Sequence, residues 1–111
     1  MREKEPDSNF LCVKDLSIET LAHFLKVITE PNRLRILCIL VKGAKCVGSL
    51  TDELEISQPL TSHHLGVLKE EGLILPSRQG SVITYSVNEE LLDWLLRALS
   101  FHLSSRIQEL A

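Results

Sequence analysis

Ser57-Gln58-Pro59-Leu60-Thr61-Ser62-His63-His64-Leu65-Gly66-Val67-Leu68-Lys69-Glu70-Glu71-Gly72 is the stretch around which the chain is organised. It reads as one helix. Ser57 is a good N-cap, because its hydroxyl can accept from the free N–H groups of the first turn. Pro59 falls where amide protons have no intrahelical partner, so a fixed φ costs little. Gly72 suits the left-handed residue that ends a helix. At helical spacing Thr61, Leu65 and Leu68 form one stripe with His64 beside them. Gln58, Ser62, Gly66 and Lys69 form the opposite stripe, flanked by Pro59 and His63. Glutamine, serine and histidine can address base edges through hydrogen bonds, and lysine can meet a phosphate. A solvated face with incidental histidines is the bland alternative, and the flanking sequence decides between them.

Upstream, Val47, Leu50 and Leu54 anchor a short helix from 47 to 54, and only Glu55-Ile56-Ser57 separates it from the next. Two helices joined by so tight a turn form a helix-turn-helix unit, here 47–71. Downstream, two β-rich runs flank Gln79-Gly80 and span 73–87; Val82, Thr84 and Ser86 alternate with Ile83, Tyr85 and Val87. Pro76 places the first run at a sheet edge. A hairpin directly after such a helix is a wing.

Working outward again, Ile18, Leu21, Ala22, Leu25 and Ile28 recur at helical spacing, with Ser17 as N-cap. Glu30-Pro31-Asn32 breaks and restarts the chain. The helix that follows, to Val41, is apolar almost all round and is expected to be central and buried. Arg33 and Arg35 escape at its start, free to reach solvent, an acid or a phosphate. Asn88 caps a last helix to about Leu110, with Glu89 and Glu90 in its first turn. Its apolar face (Leu91, Leu92, Leu95, Leu96, Leu99, Leu103 and Ile107, widened by Trp94 and Phe101) is broader than one small domain needs. That breadth, with the apolar face of 17–29, points to a homodimer interface built from the terminal helices 17–29 and 88–110.

The 111 residues make one domain, with 44% hydrophobic residues for a core. Residues 1–14 read as a mobile N-terminal arm and 15–111 as the folded domain. The charged start carries no secretory pattern, and the longest apolar run, Ile36 to Val41, is too short to span a bilayer. A prokaryotic cytoplasmic setting is expected, with Cys12, Cys38 and Cys46 as reduced thiols. A net charge of −3 argues against a general nucleic-acid coat protein, which would be basic. A sequence-specific dimer needs only a local basic patch.

Glu30-Pro31-Asn32-Arg33-Leu34-Arg35-Ile36-Leu37, Cys46-Val47-Gly48-Ser49-Leu50, Ser57-Gln58-Pro59 with Ser62-His63-His64-Leu65 and Val67-Leu68-Lys69, then Gly72-Leu73-Ile74 and Tyr85-Ser86 closely resemble the ArsR/SmtB family. The match runs from about Ala22 to Val87, and the last helix also fits. The resemblance implies a mainly α (α+β) winged helix-turn-helix fold, with four helices, a two-stranded wing and a fifth helix. It also implies repression of transcription on double-stranded operator DNA, relieved by an effector. It implies that Gln58, Ser62 and His63 face the major groove and that the hairpin tip approaches the flanking phosphates or minor groove. With the helix face read above, the expected DNA-facing set is Ser57, Gln58, Pro59, Leu60, Ser62, His63 and Lys69 on the helix, with Arg78, Gln79 and Ser81 on the wing. Gly66 departs from the basic or polar residue often found there.

The family's sensing sites are each half present. Metalloregulators of this kind carry Cys-Val-Cys at the start of the third helix, where two thiolates hold a soft ion such as arsenite, antimonite, cadmium or lead. This chain has Cys46-Val47-Gly48, and Cys12 on the arm is the candidate second ligand. The zinc pattern on the last helix is incomplete at Asp93-Trp94-Leu95 and His102-Leu103-Ser104-Ser105. A third branch senses persulfide or oxidant, and Cys38 stands where its first thiol stands, with Ser104 near its partner's place. By Leu34, Leu37, Cys38 and Val41 spacing, Cys38 reads most simply as a small core residue.

Three function classes compete. A repressor released by a thiol-reactive effector fits the polar helix face. An effector-independent regulator, or one sensing redox state, would share it. A winged-helix module for protein partners would instead show apolar anchors where Gln58, Ser62 and His63 stand. An enzyme is not expected, because His63 and His64 point to different sides of a helix and no phosphate-cradling glycine loop appears.

Overall fold

The structure, a computed structural model, describes residues 17–110, with side chains from Ser17 to Ser104. The arm at 1–14, and with it Cys12, lies outside the described residues. Helix α1 (Ile18–Ile28) starts at Ser17, whose hydroxyl accepts from the Thr20 N–H at 3.1 Å, and it buries Leu21 and Val27. The chain turns at Thr29-Glu30. Glu30 then caps α2 (Pro31–Val41), its carboxylate accepting from the Arg33 N–H at 2.9 Å. Pro31 at the first position has no N–H to leave unpaired.

Helix α2 corrects the sequence expectation. Its buried face is Ile36, Leu37 and Leu40, while Leu34 is 45% exposed and Val41 and Cys38 also lie outside. Cys38 is therefore not a core residue. An apolar helix can bury only the sides its neighbours cover, and one side of α2 stays open. That side borders a groove of about 460 Å³ between α2 and the next helix, lined by Leu34, Cys38, Ile39 and Leu54 among others.

A second difference follows Gly43. Lys45–Cys46 forms a short strand, β1, that pairs antiparallel with the wing. Two residues are too few to show a period of their own, so only the partner strand reveals them. Helix α3 (Val47–Leu54) buries Leu50 and Leu54 and ends at Glu55, whose φ of +56° and ψ of +43° are left-handed. That conformation costs a non-glycine residue about 1 kcal/mol, and it turns the chain sharply into α4 (Gln58–Glu70).

Helix α4 closes at Gly72 with φ +77°, the Leu73 N–H reaching back to the Leu68 carbonyl at 2.9 Å. Strands β2 (Ile74–Gln79) and β3 (Val82–Val87) pair from Ile74↔Val87 to Gln79↔Val82, leaving a two-residue loop. Gly80, at φ +65°, takes the first loop position. The sheet order β1-β3-β2 puts Pro76 on an edge strand, where its missing N–H costs nothing. Asn88 then ties wing to helix: its Nδ2 donates to the Gly72 carbonyl at 2.8 Å, and its Oδ1 accepts from the Leu91 N–H at 3.2 Å.

Helix α5 (Glu89–Leu110) buries Leu91, Leu95 and Ala98 against the domain. Together with Ile36, Leu50, Leu68, Leu73 and Ile74 they make one continuous core. Each such side chain contributes about 1.5–3 kcal/mol by leaving water. The opposite side of α5 is left uncovered, with Leu96 67% exposed and Phe101 and Leu103 also out.

Candidate nucleic-acid interface

The inner side of α4 is Thr61, His64, Leu65 and Leu68, all buried. Thr61 is the hinge pin to α3. Its hydroxyl donates to the Ser57 carbonyl at 3.0 Å and accepts from the Thr51 hydroxyl at 3.0 Å. A fully buried hydroxyl satisfied on both sides costs little and fixes the angle between the two helices. Ser57 caps the helix by accepting from the Leu60 N–H at 3.2 Å.

With that side held, the outer side is set. Ser57, Gln58, Pro59, Leu60, Ser62, His63, Gly66 and Lys69 are all exposed, and so are Arg78, Gln79 and Ser81 on the wing. The fold thus brings all ten of the sequence-predicted DNA-facing residues to the surface. Seven stand on one exposed helix and three on the wing that follows it. Arg78 lies over the loop, its guanidinium 3.4 Å from the Gly80 carbonyl. A helix of this width fits a major groove, and its exposed amide, hydroxyl and imidazole groups match the donors and acceptors displayed there.

Gly66 sits on this outer face, and a Cβ built on it would meet nothing within 4 Å. Gly66→Ala is therefore expected to stabilise α4 by about 1 kcal/mol. Its melting temperature should rise by about 4–8 °C in a thermal scan. A loss of operator affinity in the same protein would show that DNA occupies that open space.

Cys38 and Cys46, the cysteines among the described residues, are both free thiols. Cys46 is the N-cap of α3, and its Sγ lies 3.6 Å from the Ser49 hydroxyl. The Ser49 backbone N–H, then its hydroxyl, pull the Cys46 thiol below its ordinary range. Cys38 lies on the open side of α2. Among the described residues no group of three His, Cys, Asp or Glu side chains could hold a metal ion. Asp93, half of the incomplete zinc pattern, pairs instead with Arg97 at 2.8 Å. No helix of the described residues is long and apolar enough to cross a membrane.

Sequence reasoning missed one cluster. Arg33 does not escape to solvent. Its Nε donates to the Val27 carbonyl at 2.7 Å and its Nη1 lies 3.2 Å from Nδ1 of His64. Glu30 stands 3.8 Å from the same nitrogen. The signal was present in outline, since His64 falls beside the buried stripe, but its partners are some thirty residues away.

Comparison with known proteins agrees with this geometry. The model of the bacterial regulatory protein arsR family matches residues 30–75. The arsenical resistance operon repressor of Staphylococcus xylosus is 35% identical over 80 residues, covering 72% of this chain and 77% of that one. The biofilm growth-associated repressor of Xylella fastidiosa (strain Temecula1) is 38% identical over 79 residues, or 71% and 69% of the two chains. The crystal structure of the transcriptional repressor BigR from Xylella fastidiosa superposes with a TM-score of 0.65 at 34% identity, over 79% of this chain and 87% of that one. With the fold, the exposed helix face and these relatives in agreement, the chain belongs to the ArsR family of DNA-binding transcriptional regulators, and it is not an enzyme.

Proposed function

We propose that this chain is a homodimeric repressor that seats α4 in the major groove of operator DNA, rests its wing on the flanking backbone, and is released by a thiol-reactive effector. The observation that carries the DNA-binding part is the exposed polar face of α4 at Gln58, Ser62 and His63, held outward by a fully packed inner face. The uncovered apolar side of α5 supports the dimer. The relatives named as repressors support repression.

Cys46 is the proposed effector thiol. A thiol poised toward thiolate at a helix start binds a soft ion such as arsenite, antimonite, cadmium or lead more readily than an ordinary one. Cys12 is the proposed second ligand. Cys38 carries a second reading, favoured by its exposure beside the α2–α3 groove: an oxidant or persulfide reacting there would act without any ion.

Fluorescence anisotropy of the reduced protein on its own upstream duplex and on a scrambled duplex, at two salt concentrations, tests the first part. Backbone binding alone is steeply salt-dependent and indifferent to sequence. Clear preference for the upstream duplex is the expected result. Equal, weak, salt-sensitive binding to both would favour a protein-interaction module. Arsenite is then expected to weaken operator binding by about 5- to 150-fold, the usual span of allosteric coupling. Cys46→Ser should abolish that response, and a full response in the variant would move the sensor to another thiol.

A further inference from the structure

His64 is a buried titratable group with no part in the outer face of α4, at 5% exposure. It closes a three-way joint. Arg33 is fixed to the end of α1 through the Val27 carbonyl, belongs to α2, and meets α4 at the His64 ring. Arginine can only donate, so Nδ1 must accept, and the ring is neutral with its proton on Nε2.

We propose that His64 is a positioning residue for DNA binding, whose neutral ring, accepting from Arg33, holds α4 at the rotation that presents its outer face, so that a proton added there loosens the grip on operator DNA. The inference rests on the reading that α4 is the DNA-contacting helix. A protonated ring has no acceptor, and it would set a cation 3.2 Å from the guanidinium. Glu30 offers partial relief at 3.8 Å, but its carboxylate already caps the Arg33 N–H. The ring must then turn or α4 must shift. His63, whose ring centroid is 5.3 Å from that of His64, moves with it.

The charged surroundings leave few rivals for the effect. Glu30 and Arg33 face the ring from the head of α2, and His63 from α4 itself. On α3, Asp52 and Glu53 are exposed, and Glu53 pairs with Lys45 at 3.6 Å. At the far end of α4, Glu71 pairs with His23 of α1 at 2.7 Å. Of these groups only His64 is buried against Arg33, so a net weakening in acid is read against the His64 variants.

Burial, and after it the Arg33 and His63 charges, hold His64 below the ordinary histidine range, with Glu30 opposing. The sign follows. Its contribution to folding stability is full above the ordinary value and is lost as pH falls through the lowered one. The test therefore compares affinities only where circular dichroism shows every variant folded.

Operator affinity is read by anisotropy from pH ~7.5 to ~5.5 for the wild type, His64→Leu and His64→Asn. Asparagine puts an acceptor near the Nδ1 position but does not titrate. The wild type is expected to lose affinity progressively toward the acid end of that range, by up to about tenfold, the ceiling for one coupled proton across one pH unit. His64→Leu should bind about tenfold more weakly at pH ~7.5, since it strands Arg33, and His64→Asn should recover most of that loss with a flat pH profile. An Asn variant as acid-sensitive as the wild type, or a Leu variant of wild-type affinity, overturns the proposal. Absence of any preference for the upstream duplex at every pH would instead overturn the DNA-binding reading beneath it.

Discussion

Ser62→Ala combined with His63→Ala is expected to weaken operator binding by about 10- to 100-fold while leaving the melting temperature within a degree or two. Both side chains are exposed on the outer face of α4, so neither contributes core packing. Surface changes of that kind shift stability by about 0.5 kcal/mol or less. A good bidentate contact to a base edge discriminates by about 1–3 kcal/mol, and two single hydrogen bonds lost together, about 2 kcal/mol at the low end of that scale, fall in the stated span. The specific readout is the ratio of upstream to scrambled affinity. It should collapse toward unity, because the phosphate contacts proposed for Lys69 and Arg78 would remain and carry no sequence information. Unchanged specificity would mean that another face of the molecule reads DNA.

Leu96→Asp should have the other large effect, conversion of the proposed dimer to monomers with loss of operator binding. Leu96, Phe101 and Leu103 on α5, and Ile18 on α1, are apolar side chains open to water in the single chain. Such faces mark association surfaces in soluble proteins. A carboxylate buried in one without a partner costs several kcal/mol, enough to weaken a micromolar dimer by about 100-fold or more. Sedimentation equilibrium gives the mass directly. A dimer that survives the substitution would place the interface elsewhere, and a monomer that still binds DNA with full affinity would dissociate the two functions. The wild-type monomer fold should persist, because Leu96 faces away from the core residues Leu95 and Ala98.

How much was legible beforehand differs from element to element. The caps at Ser17, Ser57 and Asn88, the restart at Glu30-Pro31 and a glycine turn at Gly80 all stand where residue type alone puts them, though the loop is Gly80-Ser81 rather than Gln79-Gly80. So does the division of α4 into an inner and an outer side. These depend on residues within a turn or two of one another. The match to relatives across 30–75 spans the same local signals.

Four things were not legible, and each depends on distant partners. The strand at Lys45–Cys46 exists only because Thr84 and Tyr85 lie alongside it. The open side of α2, with Cys38 on it, follows from where α3 stops rather than from the composition of α2. Arg33 looked free and is instead fastened to Val27 and His64. The Cys46 thiol is pulled below its ordinary range by Ser49 because it caps the start of α3, yet among the described residues no three metal-ligating side chains gather around it.

From its sequence alone, then, this chain specified its helices, its wing, its family and the outward set of α4. Periodicity and capping are short-range, and one face of a helix follows from the other. The tertiary structure decided which apolar sides are covered, which cysteines meet solvent, and that His64 is bound to Arg33. Those outcomes depend on groups that folding alone brings within hydrogen-bond distance.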